Sequence, residues 1–559
     1  MHVTNPTTER LEADSAAPWL ASYPAGVPRE IKLEGGPSTL KELLEDSFQR
    51  FSERAMFSFM GTELTYAAVD SLSLKLGVYL QGLGLESGDR VAVMLPNIPQ
   101  YPIVVAAILR AGYVLVNVNP LYTARELEHQ LKDSQARAIV IHEAAGATLQ
   151  ECIESTNVSD VIICAFDDML PEPKQATPKV SDLKLRNAIR YPEALRRMVG
   201  QSLRPVVVKP DDIALLQYTG GTTGASKGAV LLHRNLVANA LQFEAWVQPA
   251  WGKVPASEQP TLACVLPLYH ILAFTVNFVA AARAGSLNVL IPDPRNVKAA
   301  LKELGRHRIH FFPGLNTLFL TYMNDPEFAR VDWSHLRLTM AGGMTTQPGV
   351  QNQWKQRTGC GICEGFGMSE TAGTVTSNLP TGEKVCEGIG LPIPSTEVAI
   401  LDDDGELVPV GEIGELAIRG PQVFAGYWSQ GQIVPACDEQ GFFRTGDLGY
   451  MQPDGHFRIV DRKKDMVLVN GFNVYPAEIE AFVSTCPGVQ ECAVVGIPDP
   501  HSGEAIKLVI VRQDQALTED IIRSHCRKGL TGYKQPSKIE FVTSLPKSAV
   551  GKILRKDLR

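Results

Sequence analysis

A chain of 559 residues, 45% hydrophobic and 20% charged, has the profile of a globular protein too long for one core, so a large unit and at least one smaller one are expected. Lys and Arg number 53 and Asp and Glu 61, a formal charge of −8. That balance excludes the basic footprint of a general nucleic-acid binder and leaves room for a local basic pocket.

The first residues, Met1 to Arg10, are polar and no apolar signal core follows them, so a cytoplasmic, reducing setting is expected and residues 1–25 read as a flexible arm. The apolar stretches 103–118 and 274–291 are broken by Arg110 and Arg283, too soon to span a bilayer. Segments then alternate. An apolar run at 91–95 reads as a buried strand, 101–110 as a helix, 113–118 as a strand, 124–133 as an amphipathic helix and 138–142 as a strand. This order predicts an α/β fold with stacked, largely parallel sheets. Pro-rich connectors follow at 171–178 and 206–210.

The apolar run 213–216 leads into Tyr218-Thr219-Gly220-Gly221-Thr222-Thr223-Gly224-Ala225-Ser226-Lys227-Gly228. Four glycines let the backbone turn its N–H groups inward, four hydroxyls add donors, and Lys227 adds a point charge. Such a nest suits the β- and γ-phosphates of ATP. A Walker A loop is excluded, because Ser226 rather than Gly precedes the lysine and Gly228 rather than Ser or Thr follows it. Of the ten cysteines, Cys360 and Cys363 are spaced for redox or zinc chemistry; without two further ligands they read as small buried residues at the end of a strand. Beyond Pro392, short strands at 398–401, 416–419 and 457–460 alternate with turns such as Asp404-Gly405 and Asp454-Gly455, which predicts a small β-barrel near 385–460. The charged run 461–465 separates residues 26–462, the large N-terminal unit, from 463–559, a small α+β unit.

The phosphate loop resembles the signature Tyr-Thr-Ser-Gly-Thr-Thr-Gly-x-Pro-Lys-Gly of the acyl-adenylate-forming superfamily, which contains acyl-CoA synthetases, luciferases and peptide-synthetase adenylation domains. Gly220 stands in its Ser slot and Ser226 in its Pro slot. The similarity continues in order through about residues 40–559. It implies a mobile C-terminal unit and a set of roles. Thr223 belongs to the catalytic phosphate loop. The segment Glu364-Gly365-Phe366-Gly367-Met368-Ser369-Glu370-Thr371 offers Phe366 to adenine, Glu370 to Mg²⁺ and Thr371 to the α-phosphate. Gly342 and Gly343 let backbone pass close to adenine and substrate. Asp447 accepts from the ribose hydroxyls beside Arg462. Lys552 offsets the repulsion between a carboxylate and the α-phosphate. Lys464 is the hinge, and Gly471 and Phe472 face CoA in the second half-reaction.

For the acid, Pro267-Leu-Tyr-His270-Ile271 is similar to the acyl-pocket motif, with His270 near the carboxylate, Phe274 as tunnel gate and Gly314 on the tunnel wall. The resemblance is closest to bacterial long-chain fatty-acid–CoA ligases, which implies ATP, Mg²⁺ and CoA as cofactor and co-substrates. Loose association with a membrane is compatible with an amphiphilic acid, and a monomer or homodimer is expected. A medium-chain or aryl acid–CoA ligase and a fatty acyl-AMP ligase stand as alternatives.

Overall fold

Among the residues described by the computed structural model (17–171, 185, 187–198, 200–219, 226–380, 388–470, 472–547 and 553–559), two nine-stranded sheets carry most of the chain. One has parallel Arg90–Met94, Val114–Asn117, Ala138–His142, Asp160–Cys164 and Ile213–Thr219 at its centre. The other is built on parallel Thr261–Cys264, Leu287–Leu290, Phe311–Gly314, Leu338–Ala341 and Ile362–Met368. The α/β architecture expected from the alternating segments is the one observed.

Local sequence explains the elements. The strands are short apolar runs, buried almost throughout because helices cover parallel sheets. All 11 residues of the helix Gln100–Arg110 are buried, and its only charge, Arg110, is met by Asp70 at 2.6 Å and Glu45 at 3.2 Å. The helix Ala124–Ser134 starts where Thr123 and Glu126 close a capping box. Its last residue is followed by Gln135 in the left-handed region (φ 55°), which ends the helix.

Residues 397–462 form a four-stranded antiparallel sheet, Glu397–Leu401, Gly414–Arg419, Phe443–Met451 and Phe457–Arg462, where a small barrel is expected. The intervening hairpin, Gly426–Ser429 with Gln432–Val434, leaves this sheet and extends the nine-stranded sheet of the phosphate-loop strand. The C-terminal part has its own sheet of Val467–Val469, Phe472–Val474, Val489–Asp499, Gly503–Arg512 and Lys538–Val542. Helices Pro476–Val483 and Glu519–Gly529 cover it, and a separate apolar cluster with Ile479, Val494, Leu508 and Ile522 fills the space between.

The expected arm at 1–25 is corrected over its last part. Pro18–Ser22 is a short 3-10 helix, and Trp19 is buried against Phe457 with ring centroids 5.9 Å apart. Tyr23 continues the attachment, donating to the Pro392 carbonyl at 2.6 Å and packing edge-on to Trp246. A polar, small-residue composition hid one large anchor. Cys360 and Cys363 are both buried, at the start of Ile362–Met368 rather than at a strand's end, and burial pushes the Cys360 thiol up, against a redox role. No helix among the described residues is long and apolar enough to cross a membrane.

Candidate active site

The phosphate loop is the tip of a hairpin. Ile213–Thr219 runs up, Lys227–Leu232 runs back, and Tyr218 pairs with Gly228 and Thr219 with Lys227. Gly220, Gly221, Thr222, Thr223, Gly224 and Ala225 lie outside the described residues. Both flanks are fastened. The Tyr218 hydroxyl donates to Asp133 Oδ2 at 2.6 Å, and Trp428 Nε1 donates to the Asp133 carbonyl at 2.9 Å. His129 Nε2 donates to the Ser226 carbonyl at 3.0 Å. A Cβ on Gly228 would come within 3.1 Å of the Tyr218 ring, so the glycine there allows tight packing across the hairpin.

Lys227 and Glu370 meet at one side chain that the sequence did not single out. Tyr427, on Gly426–Ser429, donates its hydroxyl to Glu370 Oε1 at 2.8 Å, and Lys227 Nζ lies 5.4 Å from the centre of the same ring. Glu370 is 7% exposed, in the turn Ser369–Thr371. Its backbone carbonyl accepts from Phe424 N–H at 2.9 Å, so the segment leading to Tyr427 grips both ends of the residue. A hard carboxylate with one oxygen hydrogen-bonded and the other free of any described hydrogen-bond partner fits a Mg²⁺. Elsewhere, Glu258, His310 and His335 gather like metal ligands, but His310 Nδ1 accepts from Thr261 N–H at 3.1 Å. The proton is therefore on Nε2, donated to Glu258 at 3.0 Å, and no lone pair is left there for a metal.

The strand before Glu370 requires its glycines. A Cβ on Gly367 would fall 1.6 Å from the Gly373 carbonyl oxygen, and one on Gly365 3.0 Å from the Met340 methyl. Phe366 is half-buried, and so has ring surface to offer adenine. Thr371 is fully buried and its hydroxyl faces the Met368 and Gly373 carbonyls, so donating to an α-phosphate requires it to rotate. Glu364 is buried and structural: Oε1 accepts from Thr346 N–H at 2.5 Å and Gln351 Nε2 at 3.1 Å, and burial raises its pKa. It holds the loop that follows Gly342 and Gly343, where Gly343 has φ 79° and a Cβ on Gly342 would lie 3.1 Å from Leu272. Gly342 therefore packs close to Leu272, next to His270 and Ile271 in the chain.

Asp447 and Arg462, the pair expected at the ribose, face each other across adjacent strands, with Nε 2.6 Å from Oδ1. The Asp447 carboxylate is nearly buried, so the arginine offsets its desolvation and orients it. The charge of Arg462 also reaches Tyr427, whose hydroxyl burial and Glu370 push above its ordinary range.

On the acyl side, His270 caps the turn Ile271–Ala273. A buried polar chain behind it escaped the sequence reading. Gln217, on the phosphate-loop strand, donates to the Tyr269 carbonyl at 3.1 Å and accepts from Asn117 at 3.0 Å, while Asn97 holds the carbonyls of Cys264 and Leu266 and the N–H of Leu268. Polar residues inside otherwise apolar runs are the signal that could have found it. Phe274 is fully buried and opens a π-helix, Phe274–Ala280, with its ring edge-on to Phe278 at 5.7 Å. Gly314 ends Phe311–Gly314, where a Cβ would strike the Phe319 ring at 2.7 Å.

Lys464 lies in the turn between Phe457–Arg462 and Val467–Val469. Phe472 is 55% exposed and stacked on Tyr533, centroids 4.7 Å apart. Gly471 and Lys552 lie outside the described residues. Residues 548–551 lie outside them too; beyond this stretch Lys547 bridges Ile553, and Arg555 reaches Glu480 at 2.8 Å and Asp465 at 3.5 Å.

Residues 44–428 match the model of the AMP-binding enzyme family and residues 478–552 that of the AMP-binding enzyme C-terminal domain. The long-chain-fatty-acid–CoA ligase of Salmonella typhimurium is 45% identical over 554 residues, 97% of each chain. Among solved structures, ATP-bound MatB from Rhodopseudomonas palustris is similar with a TM-score of 0.80 and 27% identity, over 93% of this chain and 98% of that one. The anthranilate CoA ligase AuaEII in complex with anthranoyl-AMP gives 0.80 and 26%, over 93% and 96%.

Proposed function

The chain belongs to the AMP-binding enzyme family, and from that premise we propose that it is an AMP-forming ligase that joins a long-chain fatty acid to coenzyme A. The 45% identity to a long-chain-fatty-acid–CoA ligase along 97% of both chains is the observation that carries this reading.

In the first half-reaction a carboxylate oxygen attacks the α-phosphorus of ATP, and the bond to pyrophosphate breaks. Lys227 and the loop 219–228 hold the leaving phosphates, with Thr223 among their donors, while Phe366 and the backbone at Gly342 and Gly343 seat adenine. Glu370 would hold Mg²⁺, which when bound neutralises charge on the phosphates. Asp447, already oriented by Arg462, accepts from the ribose hydroxyls, and Thr371 turns its hydroxyl to the α-phosphate. His270 closes the pocket beside the carboxylate, and Phe274 and Gly314 border the alkyl tunnel. Lys552 bridges the two anions as they approach. In the second half-reaction the CoA sulfur attacks the acyl carbon, the bond to AMP breaks, and the thiol proton is released. A turn about Lys464 brings Gly471 and Phe472 to the CoA side and withdraws Lys552. In this reading the hinge separates units 26–462 and 463–559, the compartment is the cytoplasm, and contact with the inner face of the membrane comes only through the substrate. A monomer or a homodimer would serve.

Replacing Lys552 by Ala separates the half-reactions. Formation of oleoyl-AMP from ATP and oleate falls by about a thousandfold, the loss expected for a transition-state charge. Conversion of supplied oleoyl-AMP and CoA to oleoyl-CoA stays within about threefold of wild type on the same scale. Equal loss in both assays contradicts the two-orientation reading. Acyl-AMP accumulating unchanged in the presence of CoA favours an acyl-AMP ligase instead.

A further inference from the structure

Glu370 presents a problem of geometry. A nearly buried carboxylate needs a partner, and Lys227, which the phosphates also need, contacts the ring of the tyrosine that Glu370 bonds. A direct Lys227–Glu370 pair would consume both groups. No such pair occurs among the described residues; the side chain between them is Tyr427.

Three restraints fix that ring. Tyr427 lies opposite Ala229 in the ladder with Lys227–Leu232, so it shares a face with Lys227 two residues along. Phe424 packs edge-on to it with centroids 4.9 Å apart and an interplanar angle of 77°. Its hydroxyl is engaged at Glu370 Oε1, and no described residue hydrogen-bonds Oε2. Lys227 rests over the ring face, close enough to be steadied by it and held off the carboxylate.

We propose that Tyr427 is a positioning residue for adenylation: its hydroxyl turns the Glu370 carboxylate so that Oε2 is presented to the divalent cation, and its ring keeps Lys227 available for phosphate. The inference rests on Glu370 being a cation ligand, as read above.

The test uses Mn²⁺ as the probe, titrated by electron paramagnetic resonance into the full-length protein with ATP and no acid, so that no turnover occurs. Wild type, Glu370→Gln and Tyr427→Phe are compared, with ATP affinity in EDTA measured by calorimetry. Glu370→Gln weakens Mn²⁺ binding most. Tyr427→Phe weakens it about tenfold, the scale of one hydrogen bond to a charged group, while metal-free ATP affinity and melting temperature stay at wild type. In pyrophosphate exchange the same variant loses about tenfold in kcat, with KM for oleate unchanged. Tyr427→His, which keeps a ring donor, recovers part of the Mn²⁺ affinity and guards against a Phe variant that folds poorly. Mn²⁺ binding unchanged in Tyr427→Phe but weakened in Glu370→Gln overturns the role of Tyr427 alone. Unchanged binding in Glu370→Gln removes the ligand reading and this inference with it. A parallel loss of metal-free ATP binding in Tyr427→Phe reduces Tyr427 to a packing residue and also overturns it.

Discussion

The nucleotide side and the acyl side of the candidate site are built from different materials. On the nucleotide side, polar groups stand at fixed short distances: Tyr427 on Glu370, Arg462 on Asp447, Tyr218 on Asp133. Between them the backbone runs so close that glycine is compulsory, as at Gly367. On the acyl side, Phe274, Phe278 and the small residues around them are ordinary members of the main apolar core. The two sides therefore answer to different physics. In the proposed reading the first would bind a nucleotide through directional contacts, and the second would select an acid through the shape of a packed interior, where one methylene is worth only about 1–3 kcal/mol.

Substitutions should fail in different ways on the two sides. The largest effect is expected from Gly367→Ala. Its Cβ would overlap the Gly373 carbonyl at 1.6 Å, so the strand pair carrying Phe366 and Glu370 must separate. A loss of about 4 kcal/mol or more and no measurable ATP binding are expected, read by denaturant unfolding and calorimetry. Tolerance of this alanine would break the claim that the nucleotide side is fixed by its backbone.

Phe274→Ala comes next, at about 3–4 kcal/mol, because it empties a fully buried ring site beside Phe278. Its signature differs: ATP binding persists, while the order of preference among fatty acids shifts. An unshifted acid profile in a folded variant would remove Phe274 from the tunnel and leave it as core.

A smaller effect concerns pH. His233 heads the helix after Lys227–Leu232; it is buried, and its Nδ1 accepts from Leu40 N–H at 3.1 Å. Burial holds its pKa down at about 4. The neutral ring is thus favoured in the fold, and its contribution is complete above the ordinary value near 6.5. It is lost as pH falls from there toward 4, by at most about 3 kcal/mol. Unfolding of wild type and His233→Gln at neutral pH and near pH 5 checks the sign, pH 5 lying about midway through that window. Wild type should lose more stability than the glutamine variant on acidification, and equal losses would mean His233 is not the group that titrates.

The same contrast explains what could be read in advance. Ala138–His142 is a strand over the residues its apolar run predicts, and Gln100–Arg110 and Ala124–Ser134 differ from the spacing-based reading by one residue. Those elements follow from local periodicity. The phosphate hairpin was legible because glycines and hydroxyls cluster along one stretch of chain. Tyr427 was not, since its partner lies 57 residues away and a tyrosine between Gly426 and Trp428 carries no mark of its job. Gln217 and Asn117 are 100 residues apart and meet only in the sheet. Trp19 carries no such signal, because composition averages over a window, whereas one buried indole is enough to anchor a segment.

Whether this scaffold activates a long-chain acid is decided by acid-dependent exchange of labelled pyrophosphate into ATP, since neither CoA nor the second orientation is needed. Palmitate and oleate should support rapid exchange, with acetate, malonate, anthranilate and ferulate at least about a hundredfold lower in kcat/KM. Exchange driven best by an aromatic or short acid, with palmitate at background, would contradict activation of a long-chain acid.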